Sequence, residues 1–327
     1  MDRKLDELLH ALMQNMMIAL SGEKLARDLG VSHSTLARWV DKLRESGIEI
    51  RGELFTGYRL VRLPDVLLPQ LIRVRLRTTI IGRTLYHFYS VDSTNAFAAR
   101  LLEHGRTVSE GAVIIAESQT AGRGRMGRSW HSEREAGIYF SLVLFPKAPP
   151  SLAPLFTLGT AVAMHNAVER YTGMDIDIKW PNDLLTSGKK FCGILSEIQA
   201  EVDLIRHMII GVGLNANHET LPAEIGDRAT SLRIASGRIQ SRIEILLEFF
   251  EEFENIYMDF ERKGPRGIID QWTRSSSFAD GRRIEIHDGV RKVSGVTRGL
   301  NPLGALRVEQ KDGHIEEVYS GDVVSWQ

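Results

Sequence analysis

The sequence predicts an α+β protein of several domains: a winged helix-turn-helix first, a mixed α/β region in the centre, and a small β-barrel at the end. Three observations predict it. Two short helical patterns separated by a tight turn lie near the start, strand and helix patterns alternate in the middle, and short strands with glycine turns follow residue 275. A chain of 327 residues has room for two or three domains. We place the boundaries at 1–63, a linker at 64–83, then 84–274 and 275–327.

Composition limits the class of protein. Lys+Arg 41 against Asp+Glu 42 gives a formal net charge of -1, so any contact with nucleic acid must be local. The single cysteine, Cys192, excludes an internal disulfide and a cysteine-based zinc site, and we expect a small buried hydrophobe there. Acidic residues interrupt the apolar N-terminus, and the apolar stretches are too short or interrupted to span a membrane. We therefore expect a cytoplasmic protein with no membrane partner.

The pattern of the first domain predicts a helix, a turn, a second helix and a β-wing. Ser21 and Ser32 occupy N-cap positions, and Gly30 supplies the left-handed residue that ends the first of the two helices. Apolar residues at helical spacing form the inner faces: Leu25, Ala26, Leu29, Leu36, Val40 and Leu43. A strand near Ile48, a turn at 53–57 and a returning strand from Tyr58 complete the wing.

The second helix of this motif is where a recognition helix would meet DNA base edges. Its predicted DNA contacts are Ser32, His33, Ser34, Thr35 and Arg38. From Met1 to Leu63 there are ten Lys/Arg against nine Asp/Glu, a net of +1, so the domain is barely basic. A weak single site favours a dimer on a pseudo-palindromic operator. A protein-contact or vestigial role for the domain stays open.

Beyond the linker, which can include a short helix, strands and helices alternate. The central strands are predicted at 86–91, 112–116, 138–145, 176–180, 194–198 and 208–212, and the helices at 95–103, 154–171 and 242–262. The C-terminal strands are predicted at 283–287, 291–296, 305–308 and 316–318.

The loop at 119–130, which begins at Gln119, is the most informative segment. Its three glycines satisfy G-x-G-x-x-G after a strand, but another strand follows instead of the helix that a dinucleotide-binding turn opens. The loop also carries Arg123, Arg125 and Arg128. Arginines on a flexible glycine-rich loop can close over an anion and bind carboxylate or phosphate in bidentate fashion. A solvated basic surface loop is the alternative.

Three further motifs are weaker when each is taken alone. Lys179-Trp-Pro-Asn-Asp183 predicts a strand entering a turn, with free polar heads on Asn182 and Asp183, and Lys190 and Gly193 follow it. A plain β-hairpin explains it as well. Gly211-Val-Gly-Leu-Asn215 places an asparagine at a strand end. Asp92-Ser-Thr-Asn95 suits a helix N-cap as readily as a ligand contact.

In this order, the four motifs together resemble the biotin–protein ligase family. The front of the chain resembles the winged helix of its bifunctional members, the biotin operon repressors, and 295–306 resembles their SH3-like barrel. The resemblance covers nearly the whole chain. It implies that the central region is a class II synthetase-like ligase domain. One departure is that Trp326 and Gln327 stand where family members often place an arginine, which puts a C-terminal phosphate contact in doubt.

The resemblance also implies site residues. The catalytic set is Lys190, Arg125 and Asp183, of which Asp183 rests only on its turn position beside Lys179. The biotin-binding set is Ser93, Thr94, Asn95, Gln119, Arg123, Gly124, Arg125, Lys190 and Gly193. The nucleotide-binding set is Arg128, Trp130, Lys179 and Asn215, with Trp130 in a lid over the ligand and Asn215 facing the adenine.

The implied reaction uses biotin, ATP and Mg²⁺ and attaches biotin to a lysine of a biotin carboxyl carrier protein. No metal ligand is identified. The implied partners also include operator DNA and a second copy of the chain, which pairs when the adenylate is bound. A non-catalytic regulator that senses a small anion is the first alternative. A lipoate–protein ligase, which shares the central fold, is the second.

Overall fold

The computed structural model describes residues 2–53, 57–103, 107–288 and 291–326. It divides into two compact units, 1–76 and 77–327. The division falls inside the segment 64–83 that we predicted as a linker. The first unit contains the helix-turn-helix, and the second contains both the central region and the C-terminal strands.

The described part of the first unit forms four helices and an antiparallel strand pair. The elements are α1 (Asp2–Gln14), α2 (Gly22–Asp28), α3 (His33–Glu45), β1 (Glu49–Glu53), β2 (Gly57–Arg62) and α4 (Pro69–Arg73). Strands β1 and β2 form the predicted wing, with Ile50 opposite Leu60. The tip of its predicted turn, 54–56, lies outside the described residues. The short helix α4 is the one allowed for in the linker.

Capping and burial in the first unit follow the sequence pattern. The hydroxyl oxygens of Ser21 and Ser32 accept hydrogen bonds from the backbone N–H of Lys24 (3.3 Å) and Thr35 (3.2 Å), which confirms both N-caps. Gly30 has a φ of 61° and confirms the left-handed end. The predicted inner faces are buried except for the half-buried Leu29, and Trp39, which the pattern missed, joins them.

The second unit is built on a seven-stranded mixed sheet. Its strands are β3 (Leu85–Phe88), β4 (Ala112–Ala116), β5 (Gly137–Leu144), β6 (Asp177–Lys179), β7 (Asp183–Thr186), β8 (Lys189–Ala200) and β9 (Ile205–Asn215). Their order is β3-β4-β5-β9-β8-β7-β6, and only the β3–β4 pairing is parallel. Each predicted central strand is present. The prediction missed β7, because its first residue, Asp183, was placed in a turn.

Helices accompany this sheet and carry much of the apolar core. They are α5 (Thr94–Glu103), α6 (Ala153–Thr172), α7 (Ala223–Gly226), α8 (Leu232–Ser236), α9 (Arg242–Lys263) and α10 (Arg266–Ser275). Helices α6 and α9 pack together through aromatic rings, with the Phe156 and Phe260 centroids 4.6 Å apart. The sequence predicted α5, α6 and α9 but not α7, α8 or α10; α7 and α8 span only four and five residues, and Gly264-Pro265 separates α10 from α9.

The C-terminal strands form a five-stranded antiparallel sheet, as the short-strand pattern predicts. They are β10 (Asp280–His287), β11 (Lys292–Leu300), β12 (Leu306–Glu309), β13 (Ile315–Val318) and β14 (Asp322–Trp326), in the order β13-β12-β11-β10-β14. Strand β14, which the prediction missed, pairs with β10 and brings Trp326 against Phe278. Across the described residues, no helix is both long and apolar enough to cross a membrane.

Candidate active site

A turn between β6 and β7 gathers two lysines around one carboxylate. Lys179 ends β6 and faces Asp183 at the start of β7. The Asp183 carboxylate lies 2.6 Å from Nζ of Lys190 and 3.5 Å from Nζ of Lys179. Burial is the largest influence on Lys179 and lowers its pKa, with Asp183 opposing and Lys190 adding to that effect. The hairpin thus concentrates positive charge in a partly enclosed place.

Asn182, in the same turn, connects the hairpin to the arginine loop. Its side chain is 6% exposed, and its amide N–H₂ donates to the carbonyl of Ile194 at 2.7 Å. Its carbonyl accepts from the guanidinium of Arg125 at 2.9 Å. The prediction of free polar heads on Asn182 and Asp183 is therefore wrong, because Asn182 is bound by Arg125 and Ile194 and Asp183 is paired with two nearby lysines.

Two loop arginines share a carboxylate from the C-terminal domain. Nη1 of Arg125 lies 3.2 Å from Asp322, and Arg128 pairs with the other oxygen of the same carboxylate. Asp322 begins β14 and is mostly buried. The sequence did not identify Asp322, because nothing near residue 322 indicates a partner almost two hundred residues earlier.

The indole of Trp130 lies against the central sheet. A Cβ added at Gly193 would come within 2.9 Å of the ring, and one at Gly213 within 2.4 Å. Nζ of Lys190 lies 5.4 Å from the ring centroid. The glycines of β8 and β9 therefore leave the space that the Trp130 ring fills. The indole N–H is buried without a hydrogen-bond partner in the part of the chain that the structure describes.

A polar network lies at the start of α5. Oε1 of Gln119 accepts from the backbone N–H of Thr94 at 2.9 Å. The hydroxyl of Ser141, a fully buried polar residue of β5, lies 2.7 Å from Oγ1 of Thr94 and 2.5 Å from Oδ1 of Asn95. Ser93 lies one residue before the helix, with its hydroxyl 3.4 Å from the backbone N–H of Ala96, as a capping residue does.

The network continues to the first loop arginine. Nδ2 of Asn95 donates to the Glu197 carboxylate at 2.7 Å, and Arg123 pairs with the same carboxylate at 3.2 Å. Gly211 must be a glycine, because a Cβ there would lie 2.2 Å from Oδ1 of Asn95. Both the oxygen and the nitrogen of the Asn95 side-chain amide are thus hydrogen-bonded to protein groups. Asn95 therefore holds the other residues of the network in position.

The structure brings together most, but not all, of the predicted residues. One group comprises Arg125, Trp130, Lys179, Asp183, Lys190 and Gly193, and a second comprises Ser93, Thr94, Asn95, Gln119 and Arg123. Gly124 closes the arginine loop on itself through its N–H to the carbonyl of Arg128 at 2.7 Å. Asn215 lies at the end of β9 and donates to the carbonyl of Thr230 at 3.1 Å.

Sequence reasoning missed three polar residues of these groups, Ser141, Glu197 and Asp322, and it named Asn182 without identifying its partners. Ser141 could have been found, since it interrupts the apolar run of β5. Trp326, noted as a departure, lies with its ring centroid 4.9 Å from Nζ of Lys179, while Gln327 lies outside the described residues. Cys192 is fully buried and burial raises its pKa, which confirms the prediction of a buried hydrophobe.

In the first unit, the predicted DNA contacts lie at the N-terminal side of α3. Ser32, His33, Ser34 and Arg38 are exposed, and Thr35 is half-buried. The hydroxyl of Ser32 lies 3.0 Å from those of Ser34 and Thr35. Ser32 therefore has a capping task in addition to any contact with DNA.

Comparison with known proteins identifies the class. Three family models match: an HTH domain over residues 4–59, the Biotin/lipoate A/B protein ligase family over 87–215, and the Biotin protein ligase C terminal domain over 281–326. The fold and its site thus define a protein ligase domain of the biotin/lipoate class, preceded by a helix-turn-helix and followed by a small β domain.

Individual relatives narrow this class. The bifunctional ligase/repressor BirA of Bacillus spizizenii is 37% identical over 306 residues, 93% of each chain. A biotin–[acetyl-CoA-carboxylase] ligase of Mycobacterium tuberculosis is 31% identical over 80% of this chain and 97% of its own. The structure of the Aquifex aeolicus biotin protein ligase with biotin and ATP has 31% identity and a TM-score of 0.65, and covers 75% of this chain and 99% of its own. The chain belongs to the biotin–protein ligase family, among its bifunctional ligase/repressor members.

Proposed function

We propose that this protein joins biotin to ATP to form biotinyl-5'-AMP and then transfers biotin to a lysine of a biotin carboxyl carrier protein. One observation carries the proposal: Arg125, Lys179 and Lys190 converge from three segments on the Asn182-Asp183 turn. A carboxylate and a polyphosphate repel each other, so their reaction requires fixed positive charge between them.

In the first step, an oxygen of the biotin carboxylate attacks the α-phosphorus of ATP, and pyrophosphate leaves. Lys190 and Arg125 draw the two anions together. The ammonium of Lys190 can follow the charge as it moves from carboxylate to phosphate, since it is a compact group on a flexible stem. Arg128 and Lys179 bind the remaining phosphate charge. The structure supports this arrangement because these cations already lie beside one another.

Biotin would lie near the network at the start of α5. Its ureido group needs paired donors and acceptors, which Ser93, Thr94, Gln119 and Arg123 offer, with Gly193 near the valeryl chain. Trp130 and the loop glycines would then cover the mixed anhydride and exclude water. Because the Trp130 ring now fills the space above Gly193 and Gly213, ligand entry requires that ring to move. Asn215 would face the adenine from the end of β9.

In the second step, a neutral lysine amine of the carrier attacks the acyl carbon, AMP leaves, and the nitrogen loses a proton. Asp183 is the carboxylate placed to orient that amine or accept its proton. It now pairs with Lys190 and Lys179, so these lysines must turn to the ligand before Asp183 can accept that proton.

Mg²⁺ would bind together with ATP. The ion prefers oxygen ligands and commonly binds one or two carboxylates together with substrate phosphates and water. Asp183 and Asp322 are the carboxylates beside the candidate site, and lysines or arginines neutralise both. The donor set therefore fits an ion brought by the phosphates better than one held by the protein alone, and no protein ligand is assigned.

The repressor function rests on the first unit. We propose that α3 enters the major groove of operator DNA, with His33, Ser34, Thr35 and Arg38 toward the bases. Biotinyl-5'-AMP would act as co-repressor by ordering the central loops, after which two chains pair through their central sheets. The carrier protein would compete for that same surface. We also propose a cytoplasmic location, where these partners would be met.

Labelled biotin, ATP and an apo-carrier domain provide the direct test. The full chain should transfer acid-stable label to the carrier only when ATP and Mg²⁺ are present. If no label reaches the carrier while the protein still binds biotin, the chain is a sensor and the ligase proposal is wrong. Replacing biotin by lipoate in the same assay distinguishes a lipoate ligase.

A further inference from the structure

Two histidines and a glutamate cluster outside the candidate active site. His131 and Glu133 lie in the segment between Trp130 and β5, and His218 follows the end of β9. One ring nitrogen from each histidine and one carboxylate oxygen of Glu133 lie within 4.8 Å of one another. His131 and Glu133 are exposed, whereas the side chain of His218 is fully buried. None of the proposed steps of ligation uses them.

The hydrogen bonds around His218 define which ring nitrogen is available. The hydroxyl of Tyr139 lies 3.1 Å from the carbonyl of Glu133 and 3.1 Å from Nε2 of His218. A carbonyl can only accept, so Tyr139 donates its single proton there and its oxygen accepts from Nε2–H. Nδ1 then carries a lone pair, and it has no hydrogen-bond partner within the described residues.

This arrangement is unusual for a histidine that serves only packing. A buried nitrogen without a partner costs free energy, and most buried polar atoms find one. A histidine that binds a metal typically donates its second ring N–H to a neighbouring oxygen, which fixes the ring and its tautomer. The contact from Nε2 to Tyr139 has this form. Thus the orphan Nδ1 and its supporting tyrosine both point to a missing ligand.

We infer that His131, Glu133 and His218 form a binding site for a divalent transition-metal ion of the Zn²⁺ class. Two imidazoles and one carboxylate are a known zinc donor set, in which water completes a tetrahedron. Two nitrogens on such an ion lie about 3.3 Å apart, so the observed spacing needs only a small inward turn of side chains. His131 and Glu133 are exposed and free to make it, while His218 provides the fixed point.

The groups beside the cluster are fixed by partners of their own. Arg242 is the fixed cation among these groups, and it lies 2.8 Å from the buried carboxylate of Glu117. The two backbone segments that carry the cluster are also joined, since the N–H of Asn217 donates to the carbonyl of Ala136 at 2.6 Å.

Co²⁺ and Zn²⁺ titrations of the tag-free full-length chain test this inference. After chelator treatment, the wild type should bind one Co²⁺ with the visible absorption of a tetrahedral site, and Zn²⁺ should displace it. Zn²⁺ should also raise the Tm, because it binds only the folded chain appreciably. His131→Ala and Glu133→Gln, both at exposed positions, should each weaken binding at least tenfold and abolish that rise in Tm.

Matched controls are exposed residues outside the cluster, Glu135→Gln and His314→Ala, which should bind Co²⁺ as the wild type does. Tyr139→Phe should weaken binding about 10- to 100-fold by removing the acceptor of Nε2–H. Failure of the wild type to bind Co²⁺, or unchanged binding in His131→Ala and Glu133→Gln, overturns the inference. The test requires no biotin, so its outcome is separate from that of the ligase proposal.

Discussion

The two units encode their functional surfaces in different ways. In the first unit, the predicted DNA contacts lie within seven consecutive residues, 32–38, on one helix whose cap is also local. In the second, Arg125 meets Asn182 across 57 positions of sequence, and Arg128 meets Asp322 across 194. A recognition helix is thus a local product of its sequence, whereas the ligase site exists only when the whole sheet and the C-terminal domain are folded.

The largest expected effect concerns the core of the second unit. Arg242 and Glu117 form a fully buried ion pair at 2.8 Å. Arg242→Met leaves a buried carboxylate without its main partner, which should lower the free energy of unfolding by about 3–5 kcal/mol. Urea unfolding should show this loss in the transition of the second unit only.

The control is Arg206→Met. Its partner Glu201 is exposed, so the loss should stay below about 1 kcal/mol. If Arg242→Met shifted the unfolding of both units equally, the contrast between an independent helix-turn-helix and a cooperative ligase unit would fail.

Loss of Lys190 should have a nearly equal effect, but on the rate of adenylation rather than on the free energy of unfolding. Lys190→Ala removes a preorganised charge from the adenylation step, and its rate should fall on the order of 10²–10³-fold. Pyrophosphate release in single turnovers measures this, while the affinity of the unliganded chain for operator DNA should not change. Lys189→Ala, at the exposed neighbouring position, is the matched control. A fall of less than tenfold in Lys190→Ala would remove it from the catalytic set.

Arg125 should govern how long the adenylate stays bound. A hydrogen bond to a charged group contributes about 1.5–3 kcal/mol, so Arg125→Ala should release biotinyl-5'-AMP about 10- to 100-fold faster. Labelled adenylate in a filter assay measures the rate. Arg134→Ala, an exposed arginine paired with Glu135, should release it as the wild type does. Equal rates for wild type and Arg125→Ala would contradict the assignment.

Arg38→Ala should affect the other unit alone. Loss of one base contact typically costs about 1–3 kcal/mol of DNA affinity, and ligation should remain intact. Gel-shift titrations at fixed salt give the affinity, with the exposed Arg27→Ala on α2 as control. Equal loss of both activities would mean that the two functions cannot be separated.

The sequence predicted what depends on local pattern. Caps at Ser21 and Ser32, the left-handed Gly30 and every central strand except β7 follow from spacing and residue type. The glycines of the Gly211-Val-Gly motif were recognised, but their reason was not, since it lies in Asn95 and Trp130 on other segments. Likewise, Asn182 looked like an exposed turn residue because its partners, Arg125 and Ile194, meet it only in the folded sheet.

Asp322 has a consequence for selectivity among anions. Its carboxylate pairs with both Arg125 and Arg128, so an incoming anion meets arginines that already have a partner. An incoming anion must displace the Asp322 carboxylate, which folding has already placed beside both guanidinium groups. Chloride or a lone monoanion gains little from that exchange, whereas a multiply charged phosphate gains two guanidinium contacts at once. We therefore expect Asp322 to favour a multiply charged anion over a monoanion at these two arginines.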